Sequence, residues 1–521
     1  MRALTALAVA VLLGSGCAKS RPPSALPAPD ITGRLARAGE LLRTGCFDCL
    51  EEALAEYEAL GAVPNLRPAD ADAAADGTIR ALLLLEVRAR ELGMADEGYL
   101  QRARDLVGTR PDRVAAFTPH LYSVESLPRR DARFLGPTGP DGLRRMQELR
   151  ANFPALVEER RLGADADPLA AYLWLAFYCT HSDSRDDRSL ATLLAPLVRL
   201  RDAPLVDYRA ATCLGTQSEP LKALLDREPR FVEIAYWQAQ VAQMATRIEE
   251  AEQLFAIAFK WRPRWPAVTA ALGNVYSAFE EYEKALDFFE RTLAVIPDHP
   301  EALIGRIRTL SLLGRSGDAL AAIDAVLAAE GGRAFPGEVF YWRAWNFTQI
   351  MDLDMAWTAI EQANRLWVNS EVSKLGGIIA YRRWQRPAAI EFFTAAQKLA
   401  PDDCENAYYL GITHAELRDW PATRTVFEGA TACIDRARDG LNKEIVAIGL
   451  SSWDSARKTR QIARREAQIE AAARMQSTSW FNIAVANFNL GNKEEARQYA
   501  ERVMSDEQFA ERARDILKRL Q

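Results

Sequence analysis

The feature that most constrains this chain is a set of small and aromatic residues recurring at fixed offsets along its second half. Gly273 is followed by Ala285, Phe289 and Pro297 at offsets of 12, 16 and 24. Gly377 is followed by Ala389, Phe393 and Pro401 at the same offsets. Gly411 is followed by Thr423 and Phe427 in the same phase, with Ala430 after them. Such self-similarity marks a repeat architecture, in which no unit buries its apolar face alone and neighbours must stack.

The pattern resembles the tetratricopeptide repeat, a helix-turn-helix unit of about 34 residues. Counted in that register, repeats begin near Val232, Pro266, Pro300, Gly337, Ser370, Cys404 and Ser477. In the first, Ala239, Ala251, Phe255, Ala258 and Pro263 fill positions 8, 20, 24, 27 and 32. In the last, Trp480, Ala484, Ala496 and Ala500 fill positions 4, 8, 20 and 24. Small residues at 8 and 20 let the two helices of a unit (A and B) cross closely, and the aromatic residue at 24 fills the gap between them. The Pro300 repeat departs: Ala319 keeps position 20, but Ile307 stands at 8, so wider packing is expected there. Pro387 and Pro421 both fall at position 18, the first turn of helix B, where a missing N–H is harmless. The resemblance implies an all-α solenoid of stacked helix pairs wound into a right-handed superhelix, with an extended concave surface.

Outside residues 232–435 and 477–510 the register weakens. Arg34 to Leu60 reads as a degenerate repeat with Ala53 and Tyr57 at positions 20 and 24. Thr78 to Leu106 reads as a helix pair, and Pro168 to Arg230 as two more. Ala62 to Gly77 and Arg110 to Gly142 are rich in Pro, Asp and Gly and read as loops. Ser455 to Met475 reads as a long basic amphipathic helix with its charged side in solvent.

The N-terminus carries targeting signals. Arg2 precedes the apolar run Ala3 to Leu13, too short to span a bilayer. The run ends in Leu13-Gly14-Ser15-Gly16-Cys17, which resembles a bacterial lipoprotein signal; Gly14 holds the place usually taken by an aliphatic residue. The resemblance implies cleavage after residue 16, lipidation of Cys17, and, with Ala18 next, sorting to the outer membrane facing the periplasm. Residues 17–30 are Pro-rich and read as a tether. The expected organisation is therefore a signal peptide (1–16), a tether (17–30), an irregular helical region (31–231), a repeat array (232–435) and C-terminal helices with a final repeat (436–521).

Six further cysteines agree with an oxidising compartment. Cys404 and Cys433 fall at positions 1 and 30 of one repeat, where the start of helix A lies beside the end of helix B, so the register implies a bridge. Cys46 and Cys49 form C-x-x-C without the βαβ setting of a redox motif and read as a local disulfide. Cys179 and Cys213 stand one period apart. Packed helices lie about 8–10 Å apart, against the ~5.5 Å between Cα atoms that a bridge needs, so this pairing requires irregular repeats.

Nothing in the sequence points to catalysis, a metal or a cofactor. The formal charge of −6 over 521 residues argues against a nucleic-acid partner. Of the four histidines, His414 holds the Tyr position of a repeat and reads as a core residue, and His299 reads as solvated loop. His181 lies among Asp183, Asp186 and Asp187 in a spacing that fits neither zinc nor an EF-hand. The expectation is a binding protein. In the tetratricopeptide family positions 5, 9 and 12 of helix A face the groove. Carried onto this chain, they place Tyr236, Gln240, Asn274, Arg308, Tyr341, Trp345, Lys374, Tyr381 and Tyr408 on the partner-binding face. The carboxylate clamp of chaperone-binding relatives is incomplete: Asn274 matches, but Ala270 and Gly305 do not. The expected function is an envelope scaffold in secretion, pilus or outer-membrane assembly that binds a protein or peptide. The alternative is a solute- or glycan-binding lipoprotein that uses the aromatic groove.

Overall fold

The computed structural model describes residues 30–125, 127, 168–181, 203–213, 218–329 and 336–521. Among these there are 23 helices and no strand, and no helix is long and apolar enough to cross a membrane. Cys17, the expected leader, the expected tether through residue 29 and the acidic segment after His181 lie outside the described residues. The chain clusters into two compact units.

The first unit comprises Met1–Arg88, Glu97–Leu127 and Ala155–Phe231. Asp30, expected to end the tether, instead caps helix α1 (Ile31–Thr44), its Oδ1 accepting from the Gly33 N–H at 2.9 Å. Helix α2 (Phe47–Gly61) packs against α1, and the sulfurs of Cys46 and Cys49 are joined at the turn between them. Of two stretches expected as loops, residues 68–77 and 111–125 are helical, while residues 128–142 lie outside the described residues. Helix α3 runs from Pro68 to Leu92 and α4 from Tyr99 to Gly108, while α5 spans Pro111–Glu125. Pro68 and Pro111 open their helices, where proline is tolerated. Gly77 does not turn the chain: a Cβ there would stand 2.3 Å from the Tyr57 ring, so the glycine lets two helices touch. Helices α6 (Pro168–His181), α7 (Pro204–Cys213) and α8 (Ser218–Arg227) complete the described part. Cys179 is disulfide-bonded; the side chain of Cys213 lies outside the described residues.

The second unit comprises Ala89–Asp96, Pro128–Pro154 and Val232–Gln521. Its helices pair as A and B: α9 (Ile234–Met244) with α10 (Ile248–Trp261), α11 (Pro266–Ala278) with α12 (Tyr282–Val295), and α13 (Pro300–Leu312) with α14 (Ser316–Ala328). Then come α15 (Pro336–Gln349) with α16 (Leu353–Leu366), α17 (Ser370–Arg382) with α18 (Arg386–Leu399), and α19 (Cys404–Glu416) with α20 (Trp420–Leu450). Helices α21 (Ser455–Leu490), α22 (Lys493–Arg502) and α23 (Ala510–Arg519) close the chain.

Position 8 against position 24 is the contact that sets each pair. A Cβ on Gly273 would stand 2.6 Å from the Phe289 ring, one on Gly377 2.5 Å from Phe393, and one on Gly411 2.8 Å from Phe427. In the departing repeat Ile307 meets an aliphatic partner position, Ile323, and both are fully buried. A larger residue at 8 is thus matched by a smaller one at 24, which keeps the interior filled. Position 15, between A and B, takes a left-handed conformation throughout: Thr246, Glu280, Gly314, Met351, Trp384, Arg418 and Gly491 all have positive φ. The sulfurs of Cys404 and Cys433 are joined, with Cα atoms 5.5 Å apart.

The boundaries expected at 435 and 477 fall inside continuous helices. Helix α20 is 31 residues long and α21 is 36, so the two form a hairpin that outgrows the repeat. One side of its tip is packed against the array. Arg457 and Gln461 are buried against the A–B turn of the second pair. The Arg457 guanidinium lies 4.4 Å from the Phe279 ring centroid and bonds Glu252 and Glu281, each at 2.7 Å. Gln461 Nε2 donates to the Phe279 carbonyl, and Arg464 and Arg465 pair with Glu280. The basic stretch expected to be solvated is therefore a clasp.

Candidate partner-binding groove

The expected groove residues all lie on A helices of the second unit. Tyr236 is buried, its ring packed on Phe255 and, at 4.8 Å, on Trp265, so it belongs to the core. Gln240 is half-buried. Asn274 and Arg308 occupy position 9 in consecutive repeats and are joined, Arg308 Nη2 donating to Asn274 Oδ1 at 3.1 Å.

The next three A helices form the richest stretch. Tyr341 is buried among Trp342, Trp345 and Trp367, with ring centroids 5.0, 6.4 and 6.1 Å away. Burial and the neighbouring Glu371 carboxylate push its hydroxyl far above the usual phenol range. Trp345 and Tyr408 are half-buried, each leaving part of a ring exposed. Tyr408 rests edge-on against Phe427. Tyr381 is half-buried and donates its hydroxyl hydrogen to Glu416. Burial, then the Glu416 hydrogen bond and charge, raise its pKa to about 12. The Arg386 guanidinium lies 4.1 Å from the Tyr381 ring centroid and pairs with Glu416.

Lys374 is not a free cation. Its Nζ sits 2.8 Å from Asp403 and 3.5 Å from both Glu371 and Glu405. Burial by itself would lower the Lys374 pKa, but the Asp403 hydrogen bond and the three carboxylates outweigh it and hold the ammonium well above its usual value. Three carboxylates around one ammonium leave the patch net negative. Glu301, Glu338, Glu371 and Glu405 stand in the first turns of four successive A helices and extend that charge along the face.

Of the residues named from the sequence, Tyr341, Trp345, Lys374, Tyr381 and Tyr408 come together. Asn274 and Arg308 pair with each other, while Tyr236 is withdrawn into the core. Two features escaped sequence reasoning. The clasp of Arg457 on Phe279 and Glu281 joins segments far apart in the chain; its trace in the sequence is an acidic turn, Glu280-Glu281-Tyr282-Glu283, matched by an arginine-rich helix start. His299, read as solvated, is buried and caps α13, its Nδ1 accepting from the Ala302 N–H at 3.4 Å. His414 is half-buried with Nδ1 3.2 Å from Asp419.

The family model described as Tetratricopeptide repeat matches residues 477–505. Cellulose synthase operon protein C of Pseudomonas fluorescens (strain SBW25) is 32% identical over 108 residues, covering 20% of this chain and 8% of that protein. This chain therefore spans only a small part of that relative's length. A tetratricopeptide repeat protein from Parabacteroides merdae is similar with a TM-score of 0.36 and 12% identity, over 54% of this chain and 98% of that one. The APC/C hetero-tetramer Cut9-Hcn1 is similar with a TM-score of 0.38 and 13% identity, over 91% of this chain and 93% of that one. Residues 477–505 thus match the tetratricopeptide repeat, and the helix pairs before them share its register, with position 8 and position 24 residues making the contacts described above.

Proposed function

We propose that this protein is a scaffold of the bacterial cell envelope, anchored by a lipid on Cys17 in the outer membrane and facing the periplasm. It acts within secretion, pilus or outer-membrane assembly. Its partner is a protein segment bearing Lys or Arg, held on the A-helix face between Tyr341 and Tyr408. One observation carries the reading: the partly exposed residues Trp345, Tyr381 and Tyr408 lie beside the carboxylates of Glu371, Asp403, Glu405 and Glu416, which outnumber the cations of Lys374 and Arg386. Rings give contact area at low entropic cost, and surplus carboxylates select a cationic partner and speed its encounter.

A photo-crosslinking residue placed at Trp345 and at Tyr381 in cells tests this. Both positions should capture one and the same protein. A crosslinker at Glu391, exposed on helix α18, should not. Glu371→Lys and Glu405→Lys should each reduce the yield, and added salt should weaken it. Capture of nothing proteinaceous, or equal capture from Glu391, counts against the reading. The anchor is tested separately by fatty-acid labelling, which Cys17→Ser should abolish.

A further inference from the structure

The A–B turns form one edge of the repeat array, and part of that edge is apolar and bare. Position 15 is left-handed in every repeat, a conformation that suits glycine, yet only Gly314 and Gly491 are glycines. Trp384 and Met351 hold φ of 63° with side chains that are 80% and 61% exposed. Ile350 on the Met351 turn, and Leu417 on the A–B turn that follows the Trp384 turn, are also exposed. The two turns are neighbours: Arg382 Nη1 donates to the Thr348 carbonyl at 3.2 Å and lies 3.8 Å from Met351 Sδ. A bulky ring in strained backbone that buries almost nothing of itself contributes little to the fold. Contiguous exposed apolar surface of this kind marks an interface, and methionines make such surfaces adaptable.

The same edge is already an interface elsewhere in the molecule. At the second pair, Phe279 is only 5% exposed because the α20–α21 hairpin covers it with Trp453 and Arg457. That hairpin has a bare stripe of its own. Val446 and Leu450, four apart on α20 and so on one helix face, are 62% and 83% exposed. Lys443 is exposed one turn before Val446. On the bare edge, Asp354 pairs with Arg383 at 3.0 Å yet is 92% exposed. The tip is held at Phe279 and cannot reach the Met351 and Trp384 turns of its own chain. They lie two and three repeats further on, about 20–30 Å away at about 10 Å per packed helix.

We propose that the bare turn edge around Met351 and Trp384 seats the hairpin tip of a second copy of this chain, through Val446 and Leu450. Each copy offers one tip and one edge, so two copies related by a two-fold axis satisfy both. The surface is distinct from the A-helix groove and does not depend on it.

Sedimentation velocity of the full chain tests this, with Cys17→Ser so that no acyl chain contributes to association. A concentration-dependent dimer is expected. Trp384→Glu and Leu450→Glu should each shift it to monomer while leaving helicity unchanged, and thermal unfolding unchanged at dilutions where the wild-type chain is itself monomeric, since both side chains are exposed. An equimolar mixture of the two variants should regain dimer, because one wild-type tip then meets one wild-type edge. Larger oligomers lost in both variants support the same contact closed differently. A chain monomeric at its solubility limit, a dimer indifferent to both substitutions, or a mixture that stays monomeric overturns the proposal. So does binding to phosphatidylglycerol-containing vesicles that Trp384→Glu abolishes without any change in oligomeric state, since the occupant is then a membrane.

Discussion

Arg457 lies over Phe279, its guanidinium carbon 4.4 Å from the ring centroid, and so ties the start of helix α21 to the turn after helix α11. The same guanidinium bonds Glu252 through two nitrogens, at 2.7 and 2.9 Å, and Glu281 through a third, at 2.7 Å. Solenoid repeats ordinarily touch only their neighbours. This contact bypasses three intervening helix pairs.

Arg457→Met should therefore open the hairpin. It leaves Glu252 and Glu281 with poorly compensated charge in a site where both are largely buried, and breaking such a pair from one side costs about 3–5 kcal/mol. Hydrogen exchange should accelerate across residues 440–465, and limited proteolysis should cut near Ser451. Arg457→Lys should recover only part of the protection, because one ammonium cannot reproduce a planar fork shared by two carboxylates. Unchanged exchange in the Met variant would show that the clasp carries no stability.

Gly377→Ala should destabilise, against the usual sign for glycine in a helix. The added methyl would stand 2.5 Å from the Phe393 ring, and overpacking of this kind costs about 1–3 kcal/mol. Gly429→Ala is the control. It sits in helix α20 with no heavy atom within 4 Å of its would-be Cβ, so it should stabilise by about 0.5–1 kcal/mol. Denaturant unfolding of the two variants should move the midpoint in opposite directions.

Trp384→Gly should raise the unfolding midpoint at protein concentrations where the wild-type chain is monomeric. Removing a Cβ from a left-handed position relieves about 1–2 kcal/mol, partly offset by the entropy of glycine in the unfolded chain. A buried tryptophan would behave in the opposite way. A lowered midpoint would mean that the indole supports the fold after all.

His299 should make stability depend on pH between its unfolded and folded pKa values. Burial pushes the imidazole down to about 4, overriding the nearby Asp298 carboxylate. The folded form therefore disfavours the proton that the unfolded form takes up near 6.5. Stability from this group is complete above 6.5, declines as pH falls, and levels off below 4. The total is on the order of 3 kcal/mol. His299→Asn keeps a capping side chain without the titration, so it should flatten the stability difference between pH 7 and pH 4.5. Glu281 acts lower: burial opposes its ionisation, but Lys284 and Arg457 more than compensate and depress its pKa. Its contribution is lost only as pH falls below the usual carboxylate range. A wild-type chain equally stable at pH 7 and 4.5 would refute the His299 account.

Much of the fold was legible because its determinants are local. Ala239, Gly273, Gly377 and Gly411 announce where helices cross, and their aromatic partners lie at a constant offset within the same unit. Where residues read from composition as loop are helical, at 68–77 and 111–125, one reason accounts for it. Gly77 and the prolines at 68 and 111 look like chain breakers until a neighbouring ring or a helix start gives them another use. The groove was half legible. The register named its residues, but whether a ring is exposed depends on the adjacent repeat, which covers Tyr236 and leaves Trp345 partly open.

The sequence alone determined the paired helices, their phase and the close contacts between positions 8 and 24, because each depends on residues within a single unit. Tertiary structure decided how charge and exposure are distributed. It neutralised Lys374 with carboxylates from two helices, buried His299 and left Trp384 bare. It also brought Arg457 onto Phe279. Those outcomes depend on which surfaces meet across long stretches of chain, and local pattern carries no record of that distance.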